Sequence, residues 1–205
     1  MRLYRPFIIA RYLYPEAIFR MESTEKVLWL TFDDGPDPYS TLPLLDLLDS
    51  CSVKAIFFCS GKAAEMYPDL VKEIRVRGHL VGNHGYSHPD GWTCKASEYS
   101  TDIARAAELT SDSVFRPPFG RLRIGQYRQL KNKYRIVFWD LMPYDFDRSF
   151  GAEKVLRVLK KKTRPGSVIV LHDNDKSLAL EILGDFIRFA EDSGYVFSNL
   201  LPLKP

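Results

Sequence analysis

Between Val27 and Ser198, short apolar runs alternate with longer amphipathic stretches, and this alternation restricts the chain to few architectures. The runs at 27–31, 55–59, 80–83, 114–116, 135–139, 167–171 and 195–198 have the length and the β-branched or aromatic content of strands. Val27, Leu28, Trp29 and Leu30 are apolar without a period of two, as expected for a strand covered on both faces. Helices are predicted over 42–49, 63–77 (interrupted near Pro68), 95–111, 126–131, 152–163 and 178–193. Strands alternating with helices imply βαβ units and a mostly parallel sheet. Right-handed crossovers then leave an open doubly wound sheet or a closed barrel. A chain of 205 residues is short of the roughly 250 typical of a full eight-stranded barrel. The expected fold class is α/β, a distorted and incomplete (β/α) barrel of seven to eight units.

At this length the chain is expected to form one domain with a sizeable core. Its net charge of +3 is too mild to point to nucleic acid as a partner. Lys160-Lys161-Lys162 closes a predicted helix, where cations complement the dipole. Three cysteines, Cys51, Cys59 and Cys94, make an odd count without CxxC spacing. They argue against a disulfide framework and for a reducing compartment. Residues 1–25 are expected to form an N-terminal arm or extra helix, with the main domain at 26–205. Within 1–20, Phe7-Ile8-Ile9-Ala10 is flanked by Arg2, Arg5, Arg11 and Arg20. That stretch is too short for a signal peptide or membrane span, although weak contact with a membrane surface is compatible with it. The absence of an export signal makes the cytoplasm the expected location; no sequence feature fixes an oligomeric state.

The polar residues suited to chemistry fall at the C-terminal ends of the predicted strands: Asp33 and Asp34, His84 and His88, Arg116, Asp140 or Asp145, and His172 with Asp173. In a parallel sheet those ends share one face. Asp33 and Asp34 repel one another unless a cation lies beside them, although Asp before Gly35-Pro36 is also ordinary turn chemistry. His84 and His88 are four apart, the spacing that places two imidazoles on one face of a helical turn. Two histidines and one carboxylate make a three-ligand metal site with open positions. Asp34 is the better ligand and Asp33 the better free base, because neighbours on a strand point in different directions. His79 precedes its strand and belongs at the opposite end. Arg116 can pair with a carboxylate and hold it ionised, and the Phe119 N–H in the same Pro-rich loop can serve as an oxyanion donor. His172, beside Asp173, suits a general acid.

The motifs Thr31-Phe32-Asp33-Asp34-Gly35-Pro36, His84-Gly85-Tyr86-Ser87-His88, Arg116-Pro117-Pro118-Phe119-Gly120 and Leu171-His172-Asp173 resemble, in order, those of the polysaccharide deacetylases, the metal-dependent carbohydrate esterases of family four. The resemblance implies a distorted (β/α) barrel that hydrolyses an acetamide or acetyl ester on a sugar. It implies that Asp33 is the base, that Asp34, His84 and His88 are the metal ligands, and that Arg116 orients Asp33. It also implies that the Phe119 amide helps form the oxyanion hole, that His172 is the acid, and that Leu171 lines the pocket for the acetyl methyl group. The family's Trp-x-x-Asp-x-x-Asp-Trp motif is altered here. Asp145 holds the place of the aspartate that tunes the histidine, while Met142 and Phe146 replace an aspartate and a tryptophan.

The expected cofactor is a divalent metal, zinc by default, with Co, Mn, Ni or Fe also compatible. The expected partner is an acetylated saccharide, either a cytoplasmic precursor or glycolipid, or a wall polymer reached by an export route that the sequence does not mark. Two rival readings are a catalytically silent carbohydrate-binding relative and a non-haem iron oxygenase, which also uses two histidines and a carboxylate.

Overall fold

The strand β1 (Val27–Asp34) is the centre of the molecule, buried from Leu28 to Asp33. Its lack of alternation has the expected cause. Leu28, Leu30 and Phe32 pack under the helices, Trp29 belongs to a second apolar cluster with Ile56, Phe58, Val137 and Val168, and Asp33 lines a cavity. A computed structural model describes residues 2–201. Met1 and residues 202–205, the outermost residues of the two expected segments, lie outside the described residues.

All seven expected strands form, and each named pairing is parallel. The sheet order is β5 (Arg135–Ile136), β4 (Val114–Phe115), β3 (Leu80–Asn83), β2 (Ile56–Cys59), β1 and β6 (Val168–His172), with β7 (Val196–Phe197) paired to the start of β1. The expected helices also form: α2 (Thr41–Ser50), α3 (Gly61–Met66), α4 (Pro68–Val76), α5 (Ala96–Ala107), α6 (Ile124–Leu130), α7 (Ala152–Lys162) and α8 (Ala179–Asp192), preceded by the short α1 (Ile9–Leu13). Pro68 starts α4, where its missing N–H costs nothing. Helices α2, α4, α7 and α8 cover one face through Leu44, Leu48, Ile74, Val155, Leu159 and Phe186.

The barrel is distorted at one seam. β5 was expected to run to Trp139, yet its ladder stops at Ile136. Beyond that point the carbonyls of Val137 and Phe138 accept hydrogen bonds from the Arg116 side chain. The N-terminal segment fills the gap: Ile18 bridges Val137, and Arg20 bridges Ser167 next to β6. A single bridge from Leu141 to Ile169 then joins the far side to β6. Residues 18–20, placed in the arm by sequence, are thus part of the wall.

Candidate active site

Register brings the site residues to one lip. Asp33 sits opposite His172, Asp34 opposite Cys59, Cys59 opposite Asn83, and Asn83 opposite Phe115. His84 and Arg116 are therefore the first residues past their strands. Asp33, Asp34, His84 and His172, with His88, Phe119, Trp139, Met142, Phe146 and Val170, surround a cavity of about 390 Å³, and Arg116 lies buried behind it.

A strict alternation would send Asp34 to the face opposite Asp33. Its φ of 78° breaks the alternation and returns the carboxylate to the cavity, a conformation that costs a non-glycine residue of order 1–3 kcal/mol. Asp34 Oδ1 lies 3.7 Å from His84 Nε2 and 3.3 Å from His88 Nε2. Ligands about 2.1 Å from a tetrahedral ion stand roughly 3.4 Å apart, so these spacings fit a divalent metal. Among the described residues this is the only His/Cys/Asp/Glu group of the kind.

The ligands are oriented from behind. His84 Nδ1 donates to the carbonyl of Arg116 at 2.8 Å, which leaves Nε2 with its lone pair toward Asp34. Burial drives the His84 pKa down to about 4, so the ring is neutral, as a ligand must be. Burial opposes ionisation of Asp34, but the His88 hydrogen bond and the neighbouring imidazoles hold its carboxyl well below the usual range. Asn174 Nδ2 donates to Asp34 Oδ2 at 3.1 Å, leaving Oδ1 for the histidines.

The histidine pair does not lie on a helical turn, as its spacing had suggested. Residues 84–90 are an irregular loop with a bend at Tyr86 and Ser87 and φ of 75° at Gly85 and 57° at His88. Side chains outside the motif hold that path: Asn83 Oδ1 accepts from Gly85 N, and Asp102 Oδ1 accepts from Tyr86 N. The rings meet edge to face, 4.9 Å apart.

Asp33 also borders the ligands, its Oδ2 being 3.8 Å from His84 Nε2, but its other oxygen has a partner of its own. The fully buried Arg116 donates through Nη1 to Asp33 Oδ1 and to Thr31 Oγ1, each at 2.6 Å. With Val137 O and Phe138 O also bonded and the Phe58 ring 4.1 Å from its guanidinium carbon, Arg116 cannot swing away.

His172 has the carboxylate partner that the altered motif implies, and not the aspartate beside it in the chain. Asp145, not Asp173, accepts from His172 Nδ1 at 3.0 Å and from His172 N at 2.7 Å, while Ser177 Oγ donates to the same carboxylate. Burial disfavours the imidazolium, but the charge and hydrogen bond of Asp145, helped by Asp34 and Asp33, outweigh it and raise the pKa to about 9. Asp173 turns away and accepts from Ser40 and Thr41 at the start of α2; burial raises its pKa to about 7. Asp140 is not at the site, being bound by Arg164 and Ser167.

Phe119 lies on the rim with φ 56°, between hydrogen bonds from Gly120 N to Pro117 O and from Arg121 N to Pro118 O. Its ring stands 4.4 Å from that of His88. Gly120 is obligatory: a Cβ there would fall 2.4 Å from the Trp139 ring. Leu171 is not in the cavity. It is fully buried in the cluster beneath the helices, because the period of two carries Val170 and His172 inward and Leu171 outward. Val170 takes its place. Phe146 packs 5.0 Å from the His172 ring. His79 lies at the start of β3, as expected, accepting from Ala55 N.

Sequence reasoning passed over Asn174, Ser177, Asp102 and Thr31. Only Thr31 left a signal, as a polar residue within the apolar run of β1.

The chain matches the family described as "Polysaccharide deacetylase" over residues 20–139. It is 35% identical over 150 residues to a peptidoglycan-N-acetylglucosamine deacetylase of Bacillus cereus, covering 70% of this chain but 54% of that relative. The chain thus spans about half the length of that protein. A chitooligosaccharide deacetylase of Rhizobium leguminosarum is 32% identical over 160 residues, 74% of this chain and 73% of the relative. The crystal structure of the Bc1960 peptidoglycan N-acetylglucosamine deacetylase superposes with a TM-score of 0.86 at 30% identity, covering 94% of each chain.

Proposed function

Because the chain belongs to the polysaccharide deacetylase family, we propose that it hydrolyses the N-acetyl group of an acetylated amino sugar, using a divalent metal held by Asp34, His84 and His88. The observation that carries this reading is the pair of separately built proton-transfer groups beside one metal-ligand cluster. Asp33 is fixed by Arg116, and His172 by Asp145, in a single cavity. A non-haem iron oxygenase has no use for either pair.

A metal held by these residues, zinc by default for two histidines and an aspartate, would supply Lewis acidity and a water of lowered pKa. Asp33 accepts the proton of that water as its oxygen adds to the carbonyl carbon. The Phe119 N–H faces the carbonyl oxygen as negative charge develops on it. His172, with Nδ1 tied to Asp145, presents Nε2 and donates its proton to the amine nitrogen as the C–N bond breaks. Acetate and the free amine leave, and the Asp33 proton passes to solvent. Val170, with Trp139 and Met142, forms the apolar wall against the acetyl methyl group.

The test is acetate release from N-acetylglucosamine oligomers and peptidoglycan fragments by zinc-reconstituted protein. Asp33→Asn should retain metal and lose turnover by at least about 10²-fold, whereas His84→Ala should lose the metal itself. Full turnover in Asp33→Asn removes Asp33 as the base. Oligosaccharide binding without acetate release identifies a silent relative, and ferrous-dependent oxygen uptake an oxygenase.

A further inference from the structure

The N-terminal segment ends in no core of its own. Phe7, Ile8, Ile9 and Tyr12 are 62–79% exposed, and α1 buries none of its residues. Such a ridge is unusual on a free surface, and a five-residue helix does not persist by propensity alone. The fold holds it in place at both ends. Tyr4 packs edge to face on Tyr144 at 5.7 Å, and Tyr14 stacks on Phe138 at 5.3 Å and donates to the carbonyl of Leu122. The apolar side chains between these anchors are therefore presented outward by a fixed scaffold.

Beside the ridge, positive charge is in excess. Residues 2–15 contain Arg2, Arg5 and Arg11 and no carboxylate. Arg5, Arg11 and Arg164 all converge on the single buried carboxylate of Asp140. They line a cavity of about 240 Å³ together with Ile8. Arg5 Nε is buried there, 3.5 Å from Asp140 Oδ1 but making no hydrogen bond, and its Nη2 donates to the carbonyl of Lys162, which brings the basic end of α7 alongside. Among the described residues no helix is long and apolar enough to cross a membrane.

We propose that this ridge is a peripheral membrane anchor, with Phe7, Ile8, Ile9 and Tyr12 entering the interface of an anionic phospholipid bilayer while Arg5, Arg11 and Arg164 meet headgroup phosphates. Apolar insertion flanked by cations is the pattern of interfacial binding. The charge favours lipid over a second copy of the chain, because a twofold contact would bring two cationic ridges together.

Vesicle co-sedimentation of the full chain tests this. The parent should bind phosphatidylglycerol–phosphatidylcholine vesicles at least about tenfold more tightly than pure phosphatidylcholine, with the preference falling as salt rises. The double variant Ile8→Ser/Tyr12→Ser should lose at least about tenfold in affinity with an unchanged thermal midpoint. Arg11→Gln should reduce the preference for anionic vesicles. Equal binding by parent and double variant, or no binding to anionic vesicles at physiological salt, overturns the proposal. So does a parent dimer in ultracentrifugation that the double variant makes monomeric, an outcome that assigns the ridge to self-association.

Discussion

Replacing Asp145 by asparagine separates charge from shape at the His172 end of the site. Asparagine keeps an oxygen that can accept from His172 N and Ser177 Oγ, so the loop should survive. What disappears is the negative charge. Its replacement turns an N–H toward Nδ1, which favours the tautomer with the proton on Nε2, a donor but not an acid near neutral pH. In the parent, His172 titrates near pH 9, above its ordinary 6.5. That difference corresponds to a preference for the imidazolium on the order of 3 kcal/mol. Without Asp145 only the weaker pull of Asp34 and Asp33 opposes burial, so the pKa should fall well below that of the parent.

A raised folded-state pKa means that the contribution to stability is full below about pH 6.5 and is lost as pH rises through about 9; the asparagine variant should not show that loss. Turnover at neutral pH should drop by about 10²-fold or more. Acetate release against pH, and proton NMR of His172 in metal-free protein, read the two effects separately. In the parent, bound metal cancels the Asp34 charge that helps hold His172 protonated, so the alkaline limb should lie below the NMR value. A variant whose alkaline limb is unmoved, or whose turnover stays within about threefold of the parent, refutes the assignment.

Arg116→Met should destabilise the protein by about 3–5 kcal/mol, since it strands the buried Asp33 carboxylate and the carbonyls of Val137 and Phe138; urea unfolding with an unchanged midpoint would contradict the role given to it. Asn174→Ala should weaken zinc affinity by about 10–100-fold, because Asp34 loses the donor that holds Oδ2 away from the histidines; competition with a zinc indicator measures this without reference to activity. Asp173 has a folded-state pKa raised to about 7 from 3.8, so its contribution is fully present below about pH 4 and lost as pH rises through about 7. Thermal midpoints of Asp173→Asn should lack that decline, and identical pH profiles for variant and parent would show that the burial of Asp173 has no effect on folding.

The seven strands, the parallel sheet and the lip that gathers Asp33, Asp34, His84, Arg116 and His172 were all legible in the chain. The reason is local. Short apolar runs have one stable use, and in a parallel sheet every strand delivers the residue after it to the same side. Everything that departed from expectation depends on contacts distant in sequence or on a broken local rule. The period of two is set by strand geometry, so it correctly excludes Leu171 in favour of Val170, yet it fails at Asp34, where a positive φ returns the ligand to the cavity. The partner of His172 is Asp145, 27 positions earlier, as the motif resemblance implied; the neighbouring Asp173 cannot serve, because adjacent strand residues face opposite ways. The shortening of β5 follows from a guanidinium 21 positions upstream taking its carbonyls. Chain-local physics determined which elements form and which end of the sheet carries the chemistry. The three-dimensional packing alone decided which residues of the lip face the cavity, with Asp34 and Val170 turned in and Leu171 and Asp173 turned away, since that choice rests on side-chain direction across the sheet and not on proximity along the chain.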